Sequence, residues 1–244
     1  MIQLFALVIM MGSVSWAQTE SPNYLQITEV RTEEVSHPET LLANGGIGSV
    51  DCRGLTPLSG TDLADNAAGA VAGEVNPLDQ LDMMVDKIIN IGKKIWKIVE
   101  AGKPVVNFKT DVATAMPAGA QCWDDLEGWQ FPTSKAYRST FKNVYGITVV
   151  DFTYRVTYLY GGSADGVGKY IGYATVSPVN LDVLWGFTFN ATATVPTIYN
   201  MGSKAKPVAG MQVLVQWKVE SAISSIEQSQ AFALNGLGAF QELK

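Results

Sequence analysis

The chain has 244 residues, is 47% hydrophobic and 16% charged, and carries a net charge of −6 at neutral pH. That balance suits one globular domain preceded by a polar leader. With acids in excess and no basic footprint, nucleic acid is excluded as a partner.

The chain opens MIQLFALVIMMGSVSWAQTE. Ile2 to Met11 is almost wholly apolar, and Ser15 and Ala17 place small residues at −3 and −1 before Gln18, which predicts a secretory signal peptide over 1–17. The apolar run is shorter than the roughly 20 residues a spanning helix needs. No Lys or Arg precedes it, a departure from the usual pattern. The residue directly after the cleavage point is Gln18 and not cysteine, so nothing supports a lipoprotein-type anchor. The expectation is export to the periplasm, the cell surface or the medium, as a soluble or peripherally bound envelope or secreted protein.

Residues 18–75 are rich in Ser, Thr, Gly and Ala and carry Glu20, Glu29, Glu33, Glu34, Glu39, Asp51, Asp62, Asp65 and Glu74 against Arg31 and Arg53. Such a stretch buries too little to offset its ordering entropy and reads as a flexible acidic leader. Only YLQITEV, 24–30, has the makings of an edge strand. Cys52 and Cys122 are the only cysteines, and in an exported chain they predict one disulfide. Closing that loop removes roughly 4 kcal/mol of unfolded-state freedom on the chain-entropy account.

A single helix-plus-sheet domain is expected over 76–244. Asn76 and Pro77 read as a helix start, Gly102 and Pro104 as its end, with acids leading and lysines trailing in between. At helical spacing Met84, Ile88, Ile91, Ile95, Ile98 and Val99 cluster on one side, with Trp96 at its margin. These residues form a candidate face for either a membrane or the protein's own core. Packing on the domain's own strands is the expected use, because burying six large apolar side chains contributes on the order of 10 kcal/mol.

Period-two alternation marks the strands. VVDFTYRVTYLY (149–160) puts Phe152, Tyr154, Val156, Tyr158 and Tyr160 on one face; NLDVLWGFTFNATATV (180–195) does so from Leu181 through Trp185 to Val195, interrupted by Leu184 and Gly186; MQVLVQWKV (211–219) repeats it. GGSADGVG (161–168) predicts a hairpin turn at Asp165-Gly166 leading into KYIGYATV (169–176). VVNFKTDVAT (105–114) and QAFALNG (230–236) are weaker strands, and the terminal FQELK is not read as one. The fold class is therefore mainly β, with α+β at the margin: an antiparallel β-sandwich or meander sheet with one long amphipathic helix packed on it.

No residue set carries an obvious reaction. The one histidine, His37, lies in the leader, which removes a histidine-based triad from the domain and any multi-histidine metal site. The glycine loop lacks the phosphate-loop spacing, and no calcium loop of alternating acids is present. No catalytic residue, metal or cofactor is expected. The segment 121–137 gathers Trp123, Asp124, Asp125, Trp129 and Tyr137, aromatic faces beside carboxylates that suit a sugar. The primary expectation is a non-catalytic protein that binds an unknown protein or envelope component through its β-domain. The alternatives are a membrane-inserting or pore-forming protein using helix 77–101 or hairpin 144–176, and a carbohydrate-binding module using the 121–137 aromatics.

Overall fold

The computed structural model describes residues 22–35, 83–105 and 111–243. Alternation of apolar and polar side chains along extended backbone builds most of it. The strands are β1 (Ile27–Val35), β2 (Met84–Ile89), β3 (Ile95–Glu100), β4 (Lys103–Pro104), β5 (Ala113–Ala118), β6 (Thr133–Asn143), β7 (Thr148–Ala164), β8 (Val167–Val183), β9 (Phe187–Asn200), β10 (Ala209–Ser221), β11 (Ser225–Asn235) and β12 (Phe240–Leu243). They form two six-stranded sheets, ordered β1-β6-β7-β8-β5-β2 and β12-β11-β10-β9-β3-β4. Neighbours in both sheets pair antiparallel. Each apolar sheet face is covered by the other sheet, the usual resolution for a sandwich.

The inner layer is aromatic. Phe152 of β7 lies 4.7 Å, ring centre to ring centre, from Phe189 of β9, and Tyr154 lies 5.7 Å from Trp217 of β10. Tyr137 of β6 meets Phe232 of β11 at 4.8 Å. Three buried tyrosine hydroxyls find acceptors, Tyr154 donating to Gln230 Oε1, Tyr158 to the Ala239 carbonyl and Tyr170 to the Val85 carbonyl, whereas the Tyr137 hydroxyl has no partner among the described residues.

The expected turn at Asp165-Gly166 is present. Both residues have positive φ, 48° and 76°, the backbone hand that a tight hairpin requires. YLQITEV enters β1, which pairs with β6 at the edge of its sheet. The expected 180–195 strand is divided: its first residues end β8, the chain turns at 184–186, and β9 begins at Phe187. Trp185, expected on an inward face, sits in that turn. The terminal FQELK departs from expectation too, since Phe240–Leu243 pairs with β11.

The long amphipathic helix is not present. Its first residues, 77–82, lie outside the described part, and the remainder is two strands in different sheets: β2 pairs with β5 and β3 with β9. Isoleucine and valine dominate the segment, and their branched Cβ atoms favour a pleated surface over a helix. Gly92 marks the break between the strands. A Cβ there would stand 2.9 Å from the Val112 carbonyl carbon, so the backbones approach where only glycine fits. Asn90 closes the corner, its Oδ1 accepting from the Gly92 and Thr114 N–H groups at 2.9 and 2.8 Å. The proposed helical face is consequently split. Trp96, Ile98 and Val99 are in the core, Met84 and Ile95 are exposed, and Ile88 and Ile91 are half-buried against the core edge. Among the described residues no helix is long and apolar enough to cross a membrane.

Candidate interaction surface at the hairpin tips

The acidic-aromatic segment folds as a loop at one end of the sandwich, between β5 and β6. Asp125 Oδ2 accepts from the Gln121 and Cys122 N–H groups at 2.8 and 2.9 Å, capping the short 3-10 turn Trp123–Asp125. The Trp129 indole donates to the Trp123 carbonyl at 3.0 Å and lies against Gly162 and Gly172. Trp123 packs edge-on to Tyr173. Asp124 is exposed in the same loop, whereas Tyr137 is a core residue of β6 packed on Tyr154 of β7 and Phe232 of β11, its hydroxyl pKa raised chiefly by burial and then by Glu34 and Glu242. The loop therefore brings Trp123, Asp124, Asp125 and Trp129 together and leaves Tyr137 apart. Cys122 is buried here, and Cys52, its expected partner, lies outside the described residues, as does His37.

A different cluster forms at the opposite end. Antiparallel succession brings the β6–β7, β8–β9 and β10–β11 turns to the same end of the sandwich. Their residues are Val144-Tyr145-Gly146-Ile147, Leu184-Trp185-Gly186 and Ala222-Ile223-Ser224, without one Asp, Glu, Lys or Arg. Val144, Tyr145, Ile147, Leu184, Trp185 and Ile223 are all exposed, Trp185 at 75% and Ile223 at 56%. The far end also exposes Phe131, Met201 and Leu237, but there Asp124, Glu127, Asp165, Lys204 and Lys206 stand among them.

The tips are held rigidly. Asn143 Oδ1 accepts from the Tyr145 and Ile147 N–H groups, both at 3.1 Å, while Val144 N–H donates to the Gln26 carbonyl and Gly146 N–H to that of Asn143. Ser221 Oγ accepts from Ser224 N–H at 3.0 Å and donates to the Leu25 carbonyl at 2.7 Å. The N-terminal turn Pro22–Leu25 thus wedges between tips, with Tyr24 edge-on to Phe187 at 5.8 Å. Nearby charges are set back on the strands: Lys142 pairs with Glu29 at 2.9 Å and Lys218 with Glu220 at 2.7 Å, while Asp182 and Lys103 are exposed.

Sequence reading took 144–147 only as part of the hairpin 144–176 and 184–186 as part of a strand, and passed over 222–224, because each tip has only three or four residues, too few for any period. The signal was an apolar pair beside a glycine or serine that broke the alternation. Among the described residues no group of three or more His, Cys, Asp or Glu could hold a metal ion. No family model, no curated protein and no solved structure matches this chain.

Proposed function

We propose that the protein is an exported, non-catalytic binding protein that engages its partner end-on, through the three hairpin tips. The observation that carries this reading is the uncharged, exposed apolar cluster at 144–147, 184–186 and 222–224. Exposed apolar side chains gathered at one end without a charge among them mark an interaction site. Fixed turns lower the entropy lost when such a surface docks. Export rests on the signal-peptide pattern of residues 1–17, and a Cys52–Cys122 bridge accompanies it in an oxidising compartment. A carbohydrate site on the 121–137 loop is less favoured, because the Trp123 and Trp129 rings are engaged with Tyr173, Gly162 and Gly172.

The test is a triple substitution, Tyr145→Ser, Trp185→Ser and Ile223→Ser. All these side chains are exposed, so the urea midpoint stays close to that of the parent. Retention on the surface of the exporting cell is lost. A folded triple variant retained as well as the parent overturns the end-on reading. Amino-terminal sequencing from Gln18 and the absence of titratable thiols in the denatured protein test export and the bridge.

A further inference from the structure

We infer that the partner met by the tips is the interfacial layer of an electrically neutral lipid bilayer, an inference that rests on the end-on reading. Side-chain type is the first ground. Trp185 and Tyr145, with an apolar body and a polar handle, are residues that settle at headgroup depth, and Val144, Ile147, Leu184 and Ile223 beside them suit the acyl boundary.

The second ground is the backbone. A protein interface carries about one hydrogen bond per 100–200 Å², whereas hydrocarbon accepts none and penalises every unpaired N–H. In the 143–147 turn each N–H is already paired internally: Asn143 to the Ile147 carbonyl, Val144 to Gln26, Tyr145 and Ile147 to the Asn143 side chain, Gly146 to the Asn143 carbonyl. Leu184 and Phe187 N–H are paired to Val149 and Leu184 carbonyls, and Ile223 and Ser224 N–H to Ser221 Oγ, while Trp185, Gly186 and Ala222 N–H stay open to water at the level of the headgroups. The 143–147 turn thus offers little to a polar partner and loses little on leaving water.

Charge decides which lipid. The tips carry none, the chain is net −6, Lys142 and Lys218 just behind them are paired with glutamates, and the exposed Lys103 is matched in number by the exposed Asp182. Anionic headgroups gain nothing from this end, so a zwitterionic surface fits and binding is insensitive to salt.

The experiment is flotation of the exported chain, beginning at Gln18, with phosphatidylcholine vesicles at low and high salt, beside a parallel measurement on delipidated envelope proteins immobilised on beads. The parent floats at both salt concentrations, and replacing a fifth of the lipid with phosphatidylglycerol does not raise the bound fraction. Trp185→Ser lowers the partition coefficient roughly tenfold and the triple variant about a hundredfold or more, while Phe131→Ser at the far end leaves it unchanged. Equal flotation of parent and triple variant overturns the inference by assigning the lipid contact elsewhere. Tip-dependent capture by delipidated proteins without flotation overturns it and leaves the end-on reading standing. Tip-independent behaviour on both surfaces overturns both.

Discussion

The six-membered ring of Trp129 covers the Cα of Gly162 so closely that a Cβ built there would stand 2.5 Å from indole Cζ2. The indole cannot yield freely, because its N–H is tied to the Trp123 carbonyl and a Cβ on Gly172 would stand 3.0 Å from the same ring. Gly162→Ala is therefore expected to cost about 1–3 kcal/mol by overpacking, read from urea denaturation. An unchanged midpoint would show the loop to be loosely seated.

The replacement of helix by strand makes its own prediction. On a helix Ile95 and Ile98 share a face, but on β3 Ile95 is 63% exposed and Ile98 is fully buried. Ile95→Glu should lie within about 0.5 kcal/mol of the parent, and Ile98→Ala should cost about 2–5 kcal/mol. Comparable losses at both positions would contradict the strand.

Arg155 stands in the middle of β7, between Ala136 of β6 and Ser177 of β8, buried on the face turned away from the aromatic core. Its Nε and Nη2 have no hydrogen-bond partner. A buried cation without its bonds opposes folding, and an apolar side chain of similar length removes that penalty. Arg155→Met is expected to raise stability by about 1–3 kcal/mol. A loss of similar size would mean that the guanidinium is engaged in the native protein.

Alkaline pH should unfold the sandwich through its buried phenols. Burial raises the pKa of Tyr137, Tyr154 and Tyr158, and pushes Tyr170 from 10.0 up to about 12, with Asp86 adding to the effect. Folded values above unfolded ones mean that the contribution is complete below the unfolded pKa. It is then lost as pH rises toward the folded one, because the unfolded chain ionises first. The urea midpoint should be flat approaching pH 10 and fall across the interval to about 12, where Tyr170 itself titrates. A midpoint that holds steady through that interval would contradict the burial of these hydroxyls.

Much of the sandwich was legible in the sequence because β7, β9 and β10 alternate over many residues, with one face wholly apolar. The Asp165-Gly166 turn was legible for a local reason, its two positive-φ residues. β6 was not seen, because Lys135, Arg138 and Lys142 blur an alternation in which only Tyr137 and Phe141 are large and apolar inward. The helix reading failed on a coincidence of periods. Apolar residues spaced for a helix also serve two short strands separated by Asn90-Ile91-Gly92-Lys93-Lys94, and hydrogen bonds to β5 and β9 decide between them. That is tertiary context overriding a local pattern. The interaction surface was least legible of all. Tyr145, Trp185 and Ile223 are far apart in sequence and come to the same end only once the hairpins form.

The most direct test of that end-on surface is hydroxyl-radical footprinting of the native protein, free and then bound to the surface that retains it. The account predicts that Tyr145, Trp185 and Ile223 lose reactivity together, while Phe131 and Leu237 at the far end keep theirs. Protection of Phe131 and Leu237 with the three tips still reactive would contradict it.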